Sequence, residues 1–270
     1  MNRVAFLTTV YPMNLVHLNE MLESLVNQSY KNFDLVVVND NLQEFSHLKQ
    51  HYSNHLTIIE LAPGKSPIEN RKIGLEYCRK CQYDFLIFGD SDDKFSVNRV
   101  KDAISLLSTY DVIVNDLTLF TNEAVLERNY LSNRLSNNQL ITFDDVKNKN
   151  FLGLSNTSIK LSLIEDFTIT NDLIAFDWFF FSVLLLQGKK AFFSNSITTY
   201  YRQHADNLVG MKELTLQGHI HGWHVKKLHY AALSKVTDLV NDEYAIYSKE
   251  APVFIPDQPK KAFPLWWELI

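Results

Sequence analysis

Short apolar runs alternate with segments of helical spacing along the first half of the chain. Runs that stay apolar over successive positions predict strands covered on both faces, at residues 4–9, 35–38, 56–61, 85–88 and 112–114. Between them, apolar side chains recur every three or four positions, which predicts helices at residues 15–26, 67–81 and 97–107. Strands that alternate with helices at this spacing indicate an α/β fold with a doubly wound, mainly parallel sheet.

The second half of the chain has a different pattern. Its longest apolar run, residues 173–186, is interrupted by Asp177 and is too short to span a bilayer. Further elements are predicted as a strand at 197–201, a helix at 211–239 and a tail with several prolines at 251–270. We therefore predict a main domain over residues 1–210, with halves at 1–115 and 116–210, and a C-terminal helical extension and tail at 211–270.

Composition narrows the class of protein. The chain has 270 residues and 46% apolar content, enough to bury a sizeable core. Its net charge of -5 offers no basic surface to nucleic acid, so no nucleic-acid partner is expected. The N-terminus lacks a signal-peptide cleavage pattern, and we expect a cytoplasmic protein. Cys78 and Cys81 lie at the C-terminal end of a predicted helix, which disfavours a redox or zinc site.

Polar residues follow the predicted strands at the points where the strands end. In open α/β sheets ligands bind outside the carboxyl ends of the strands, so these residues are candidates for a binding site. The chain contains no Gly-rich dinucleotide fingerprint and no P-loop, so the phosphates of a nucleotide must be held in another way. The candidates are Thr9 and Tyr11 after the first strand, Asn39 and Asp40 after the second, and Asp90, Ser91, Asp92 and Asp93 after the fourth.

Three carboxylates lie within four residues, at Asp90, Asp92 and Asp93. They repel one another unless a cation lies among them, and oxygen ligands select Mg²⁺ or Mn²⁺. An EF-hand is excluded because Lys94 and Lys101 occupy positions that need an acidic residue. The alternative interpretation is a solvated acidic turn that caps the next helix.

Six motifs resemble those of family 2 glycosyltransferases of the GT-A fold, in the same order, over about the first 210 residues. Asp90-Ser91-Asp92-Asp93 resembles the Asp-x-Asp motif of these enzymes. Four further segments are similar: Thr9-Val10-Tyr11, Leu25 to Tyr30, Val38-Asn39-Asp40-Asn41 and Asn70-Arg71-Lys72-Ile73-Gly74. The last, Tyr201-Arg202-Gln203-His204 with Asn207 and Gly210, resembles the ending of rhamnosyltransferase-like members.

The resemblance implies a role for each matching residue. Asp40 would accept the N3–H of uracil or thymine, although Asn39 replaces the first carboxylate of the family's usual pair. Asp90 would contact the ribose, and Asp92 together with Asp90 would hold Mn²⁺ or Mg²⁺ at the phosphates. The ion would act as a Lewis acid that assists departure of the diphosphate. The residues expected to bind the nucleotide sugar are Thr9, Tyr11, Asp40, Arg71, Asp90 and Ser91.

Asp177 is the predicted general base. An isolated charge among large apolar side chains carries a desolvation cost, which favours proton uptake by the carboxylate. The resemblance places the acceptor-activating aspartate in a similar Asp-Trp context at the start of this helix. The alternative is a first-turn acid that interacts with the helix dipole, and Asp172 is a rival base that looks more like a loop acid or a cap.

The nine histidines include one candidate ligand. His204 would reach the metal or the diphosphate, with ordinary surface packing as the alternative. His219, His221 and His224 resemble a metal cluster, but on a helix only the last two share a face, so a polar helix face is favoured.

The predicted function is inverting transfer of a sugar from a UDP- or dTDP-sugar to a hydroxyl group of a glycan or lipid-linked glycan, in bacterial-type surface polysaccharide assembly. The alternatives are a nucleotidyltransferase of similar fold and a catalytically silent nucleotide-sugar-binding module. Trp266 and Trp267, with Lys260 and Lys261, would seat the tail on the inner face of the membrane, on another subunit or on the chain's own core, and the sequence leaves these three open.

Overall fold

A computed structural model describes residues 2–164, 171–203, 215–253 and 265–268, apart from the side chain of Trp266. The strands are β1 (Val4–Val10), β2 (Asp34–Asn39), β3 (Thr57–Leu61), β4 (Phe85–Phe88), β5 (Lys94–Phe95), β6 (Val112–Phe120), β7 (Val125–Glu127), β8 (Leu140–Ile141), β9 (Thr157–Lys160) and β10 (Ala191–Arg202). The α-helices are α1 (Leu15–Val26), α2 (Phe45–Tyr52), α3 (Pro67–Lys80), α4 (Arg99–Leu107), α5 (Phe143–Val146), α6 (Phe176–Leu186), α7 (Leu216–Leu233) and α8 (Asn241–Tyr247).

The strands form one sheet in the order β3-β2-β1-β4-β9-β6-β10-β5, with β7 paired to β6 and β8 paired to β10. The pairs β1–β2, β1–β4, β2–β3 and β6–β10 are parallel. β9 is antiparallel to both β4 and β6, so these two strands run in the same direction. The carboxyl ends of β1, β2, β3, β4, β6 and β10 therefore share one edge, which confirms the predicted α/β class and mainly parallel sheet.

Helices α1 and α3 pack against the central strands, which explains why those strands are apolar at successive positions. The Asn14 side chain caps α1 by accepting a hydrogen bond from the Val16 backbone N–H, and the helix buries Leu18, Leu22 and Leu25 in the core cluster that contains β1 and β2 residues. Helix α3 begins after the cap residue Ser66, contacts β1 and β2, and brings Gly74 against Leu7. Both elements match the predicted helices closely.

Strand β6 is longer than the predicted run at 112–114 and contains buried polar residues. Asp116 is 1% exposed, and its carboxylate accepts hydrogen bonds from the backbone N–H groups of Leu117 and Leu131 and from the Ser132 hydroxyl. Leu131 and Ser132 lie beyond the strand, so periodicity could not reveal that the strand continues. The short helix α2 was also not predicted.

The chain divides into two compact units. The first comprises Met1–Ile141, Leu152–Asp166 and Lys189–Arg202 and contains the whole sheet; the second comprises Thr142–Phe151, Phe167–Gly188 and Gln203–Ile270. These units do not follow the predicted boundaries at residues 115 and 210, because α6 contacts α5 and α7. None of the helices within the described residues is long and apolar enough to cross a membrane.

The second unit has an aromatic core. Trp178 stacks on His229 with ring centroids 3.7 Å apart, and its indole N–H donates to the Val146 carbonyl at 2.7 Å. Trp267 is buried and meets Phe151 edge-on at 5.8 Å, so this tryptophan docks on its own unit. Lys260, Lys261 and the Trp266 side chain lie outside the described residues.

Candidate active site

The ends of β1, β2 and β4 bring Tyr11, Asp40 and Asp90 to the same edge. The Asp40 backbone N–H donates to the Val10 carbonyl at 2.7 Å, and the Gly89 N–H donates to the Leu7 carbonyl at 3.2 Å. The pKa of Tyr11 is raised, first by burial and then by the negative charges of Asp92, Asp90 and Asp93. The predicted gathering of polar residues outside the strand ends is therefore present in the fold.

Gly89 allows the acidic loop to begin immediately after β4. A Cβ atom at this position would lie 2.4 Å from Cζ of Phe6 and 2.5 Å from Cζ of Phe95. These rings meet edge to face with centroids 4.9 Å apart, so neither can move without disturbing the other. The glycine of the Gly-Asp-Ser-Asp-Asp segment thus has a packing role.

Asp93 points into the protein. It is 1% exposed, and its carboxylate accepts hydrogen bonds from the Ser155 hydroxyl and from the Arg202 backbone N–H at 2.8 Å. Burial, followed by the charges of Asp92 and Asp90, raises its pKa well above the usual range. Asp93 is therefore not an accessible member of the predicted acidic cluster, because its carboxylate is buried and held by two internal donors.

Asp90 and Asp92 are both partly exposed and supply two carboxylates at the strand edge. Within the described ranges, no three His, Cys, Asp or Glu side chains are grouped as metal ligands. Mg²⁺ bound at nucleotides is typically held by one or two carboxylates, with phosphate and water completing its coordination. The two side chains therefore fit such an ion, and His204, the third predicted ligand, lies outside the described residues.

Arg202 holds the acidic loop in place. Its side chain is 2% exposed, and Nε donates to the Asp92 carbonyl at 2.8 Å. Its terminal nitrogens donate to Asn122 Oδ1 at 2.5 Å and to the Glu20 carboxylate. The guanidinium also lies 4.5 Å from the Phe120 ring centroid. Arg202 belongs to one of the quoted motifs, but no role was assigned to it from the sequence.

The Asp40 carboxylate is oriented by two side-chain amides. Asn41 Nδ2 donates to Asp40 Oδ1 at 3.0 Å, and Asn70 Nδ2 donates to Asp40 Oδ2 at 2.9 Å. Asn41 has a positive φ of 64°, a conformation that asparagine adopts more readily than most residues. No role for Asn70 was predicted from the sequence, because its partner is 30 residues away.

The contacts of Asn39 explain why this position has an amide where the family usually has a carboxylate. Its Nδ2 donates to Glu60 Oε1 at 2.8 Å and to the Leu42 carbonyl at 3.1 Å. The pKa of Glu60 is lowered, first by this hydrogen bond and also by Lys49, which forms an ion pair with Glu60 at 3.1 Å. An aspartate at position 39 would face Glu60 without a donor.

The remaining predicted nucleotide-sugar ligands lie at or near the same edge, to different depths. Thr9 and Arg71 are partly buried, in β1 and α3 respectively. Ser91 is 2% exposed, so its side chain is largely covered by the protein itself. Asp40 and Asp90 are partly buried like Thr9 and Arg71, and Tyr11 is the most exposed of the set.

Asp177 lies in the second unit, in the first turn of α6. Phe176 and Trp178 on either side are buried, but Asp177 is partly exposed and accepts a hydrogen bond from Asn150 Nδ2 at 3.0 Å. The predicted burial is therefore wrong, because the first turn of the helix leaves this side chain partly exposed. Asp172 is exposed in the preceding turn and does not cap the helix, whose cap is Ala175.

The histidines on α7 occupy different environments. His219 is 2% exposed and its pKa is lowered, first by burial and then by Lys226. His221 and His224 are exposed, which agrees with the predicted polar face and not with a three-histidine metal cluster. His229, which the sequence analysis did not single out, is fully buried.

The chain resembles known proteins in both sequence and fold. The family model described as glycosyl transferase family 2 matches residues 16–167, more than half of the chain. An uncharacterized glycosyltransferase of Haemophilus influenzae is 25% identical over 164 residues, a match that covers 54% of each protein. The chain thus spans about half the length of that relative.

Solved structures of TarS from S. aureus share the fold. The crystal structure of TarS residues 1–349 matches with a TM-score of 0.63 and 17% identity, over 91% of this chain and 68% of that one. The same protein in complex with UDP-GlcNAc matches with a TM-score of 0.64 and 18% identity, over 91% and 69% of the two chains. At these identities the match establishes the GT-A architecture.

Proposed function

The chain belongs to glycosyl transferase family 2, and we propose that it transfers a sugar from a UDP- or dTDP-sugar to a hydroxyl group of a glycan, with inversion at the anomeric carbon. The observation that carries this proposal is the Asp40 carboxylate, oriented by two amides at the edge that also presents Asp90 and Asp92. That TarS has been crystallised with UDP-GlcNAc and with UDP supports a uridine nucleotide as the donor.

The nucleotide would bind at the ends of β1 and β2. Asp40 accepts the N3–H of the pyrimidine, while Thr9, Tyr11 and Arg71 surround the base and the diphosphate. The Tyr11 side chain is 47% exposed and is available to a ligand at this edge. A base without this N–H donor would leave the Asp40 carboxylate desolvated and without a hydrogen-bond partner. The site therefore disfavours such a base.

Asp90 and Asp92 would hold Mg²⁺ or Mn²⁺ beside the diphosphate, with His204 as a further ligand. When bound, this ion neutralises negative charge on the leaving group. Asp90 also contacts the ribose. Arg202 keeps the Asp92 backbone in place through the carbonyl group, which positions the acidic loop at this edge.

Asp177 is proposed to take the proton of the acceptor hydroxyl. The acceptor oxygen forms a bond to the anomeric carbon while the bond from that carbon to the diphosphate oxygen breaks. The proton passes to Asp177, and the electron pair leaves with the nucleoside diphosphate. A single displacement of this kind inverts the anomeric configuration. Partial exposure makes the Asp177 carboxylate reachable by an acceptor.

The acceptor is proposed to be a glycan or a lipid-linked glycan used in bacterial-type surface polysaccharide assembly. A lipid-linked acceptor would place the protein in the cytoplasm at the inner face of the membrane, with contact through the tail. The relative from Haemophilus influenzae is described as a glycosyltransferase without a stated acceptor, so the acceptor class rests on the motif resemblance.

A panel of nucleotide sugars tests the proposal. We expect one UDP- or dTDP-sugar, with Mg²⁺ or Mn²⁺, to raise the melting temperature more than any purine nucleotide sugar does. Release of the nucleoside diphosphate is then followed with a panel of glycan acceptors, and NMR of the product gives the anomeric configuration. Release of pyrophosphate from a nucleoside triphosphate would instead indicate a nucleotidyltransferase. No response to any nucleotide would overturn the proposal.

A further inference from the structure

Asn70 forms two hydrogen bonds that fix the orientation of its side-chain amide. It lies in the first turns of α3 and is 1% exposed. Its Oδ1 accepts from the Gly64 backbone N–H at 2.7 Å, and its Nδ2 donates to Asp40 Oδ2 at 2.9 Å. Rotating the amide by 180° would place an oxygen against the carboxylate and an N–H₂ against the Gly64 N–H. Only one orientation satisfies both partners.

The same geometry fixes the Asp40 carboxylate. Oδ2 accepts a hydrogen bond from the Asn70 amide and Oδ1 accepts one from the Asn41 amide, so each oxygen already has one donor. A carboxylate oxygen has two acceptor sites, which leaves one on each oxygen for a ligand. A group held in this way can accept a hydrogen bond from a nucleobase without first losing rotational freedom, and this lowers the entropic cost of binding.

The chemistry of the bases determines what such a carboxylate selects. Uracil and thymine carry an N3–H donor, whereas cytosine has a lone pair at N3. A lone pair directed at a carboxylate is repulsive and leaves a polar group without a partner. A carboxylate free to rotate could avoid that contact, but one held by two amides cannot.

We propose that Asn70 is a positioning residue that holds Asp40 for the imide of uracil or thymine and thereby makes the site reject cytosine. This inference rests on the proposed pyrimidine nucleotide donor and adds a residue that determines its base selectivity. The resemblance implies a nucleotide-binding role for Arg71 in this segment and none for Asn70, so the positioning role of the amide is not implied by the resemblance.

The test measures UDP and CDP affinity by calorimetry with Mg²⁺ for the wild type and for Asn70→Ala and Asn70→Asp. Asn54→Ala and Asn54→Asp are matched controls, because Asn54 is exposed in the same unit. We expect Asn70→Ala to weaken UDP binding by roughly tenfold. The ratio of UDP to CDP affinity should fall towards one, which a general loss of stability would not cause.

Asn70→Asp gives a second and sharper readout. At pH 8 it places two carboxylates in hydrogen-bond contact, and their repulsion should weaken UDP binding at least as much as Asn70→Ala does. At pH 5.5 one proton shared by the pair should restore the donor to Asp40, so affinity relative to wild type at the same pH should recover several-fold. Glu69 and Arg71 flank position 70 on α3 in both the wild type and the variant. Their effect therefore cancels when the UDP affinities of the two proteins are compared at the same pH.

The outcomes separate this inference from the proposed function. If wild type does not bind UDP at all, the proposed function fails. If wild type prefers UDP to CDP and both Asn70 variants keep that preference, Asn70 has no positioning role although the function stands. Should Asn70→Ala fail to fold, the nearly isosteric Asn70→Asp and its pH response decide the question alone. A fall in the affinity ratio together with recovery at low pH supports the proposal.

Discussion

The side-chain amide of Asn150 donates a hydrogen bond to the Asp177 carboxylate at 3.0 Å. The two residues belong to the same compact unit, where Trp178, the residue after Asp177, is anchored to the Val146 carbonyl at 2.7 Å. Asp177 is thus held at a partly exposed position by a neutral donor. Orientation by a neighbouring group is what a general base requires, because a misplaced base loses much of its effect.

Asp177→Asn should abolish most of the turnover while leaving the donor site intact. The new amide keeps an oxygen that accepts from Asn150, so the start of α6 should pack as before. Loss of a general base typically lowers the rate on the order of a hundredfold to ten-thousandfold. The measurement is the initial rate of nucleoside diphosphate release, with donor affinity determined in parallel and expected to stay near the wild-type value.

Asp172→Asn is the control for this variant, because Asp172 is exposed in the turn that precedes α6. We expect its activity to be nearly unchanged. The assignment of the base is wrong if the Asp172 variant loses activity and the Asp177 variant retains it.

Asp92→Ala should remove metal-dependent nucleotide binding without unfolding the protein. Arg202 donates a hydrogen bond to the Asp92 backbone carbonyl, so the loop keeps this anchor in the variant. Calorimetry should show that Mg²⁺ no longer increases UDP affinity, while the melting temperature stays close to that of wild type. Glu44→Ala, which removes an exposed carboxylate from the same unit, should change neither. Unchanged Mg²⁺-dependent affinity in Asp92→Ala would refute the metal assignment.

Gly89→Ala should reduce both stability and nucleotide affinity. The added methyl group would lie 2.4 Å from Phe6 Cζ, and overpacking of this kind typically costs about 1–3 kcal/mol. The strain should also displace Asp90, the next residue. Chemical denaturation and UDP titration measure the two effects.

Gly188→Ala serves as the contrast to Gly89→Ala. Gly188 has a φ of +77°, and no heavy atom lies within 4 Å of a Cβ placed there. Backbone strain should therefore lower stability in this variant without changing UDP affinity. Equal losses of UDP affinity in the two variants would show that Gly89 has no specific effect on the acidic loop.

The stability of the protein should depend on pH through His229. Burial lowers the pKa of His229 to about 3, below its ordinary value near 6.5. Between pH 3 and pH 6.5, His229 therefore binds a proton in the unfolded chain but not in the folded protein. Stability is therefore lost as the pH falls from 6.5 towards 3, by roughly 1.4 kcal/mol per pH unit at most.

His229→Phe keeps a ring on Trp178 and removes the titrating group. Its melting temperature should fall less than that of wild type between pH 7 and pH 4.5. His224→Phe, an exposed change on the same helix, should follow the wild-type curve. A His229→Phe curve as steep as that of wild type would show that His229 does not contribute to the acid sensitivity.

Local patterns in the sequence determined the main strands and helices of the first half of the chain and the edge of the sheet that carries the site. The spacing of Leu18, Leu22 and Leu25 predicted α1, and Pro67 marked the start of α3, because helix periodicity and helix caps depend on residues within a few positions of one another. The alternation of strands and helices was enough to place the polar residues at the carboxyl ends. The Asp-Ser-Asp-Asp segment then indicated the family.

Only the tertiary structure decided what each polar side chain does. Asp93 turns inwards because Arg202, 109 residues away, and Ser155, 62 residues away, supply its donors. Asp40 is oriented by Asn70, and Asp177 is partly exposed in an otherwise buried helix. These contacts join positions that no local pattern connects, since the direction of a side chain depends on how distant elements pack and on where each buried polar group finds a partner.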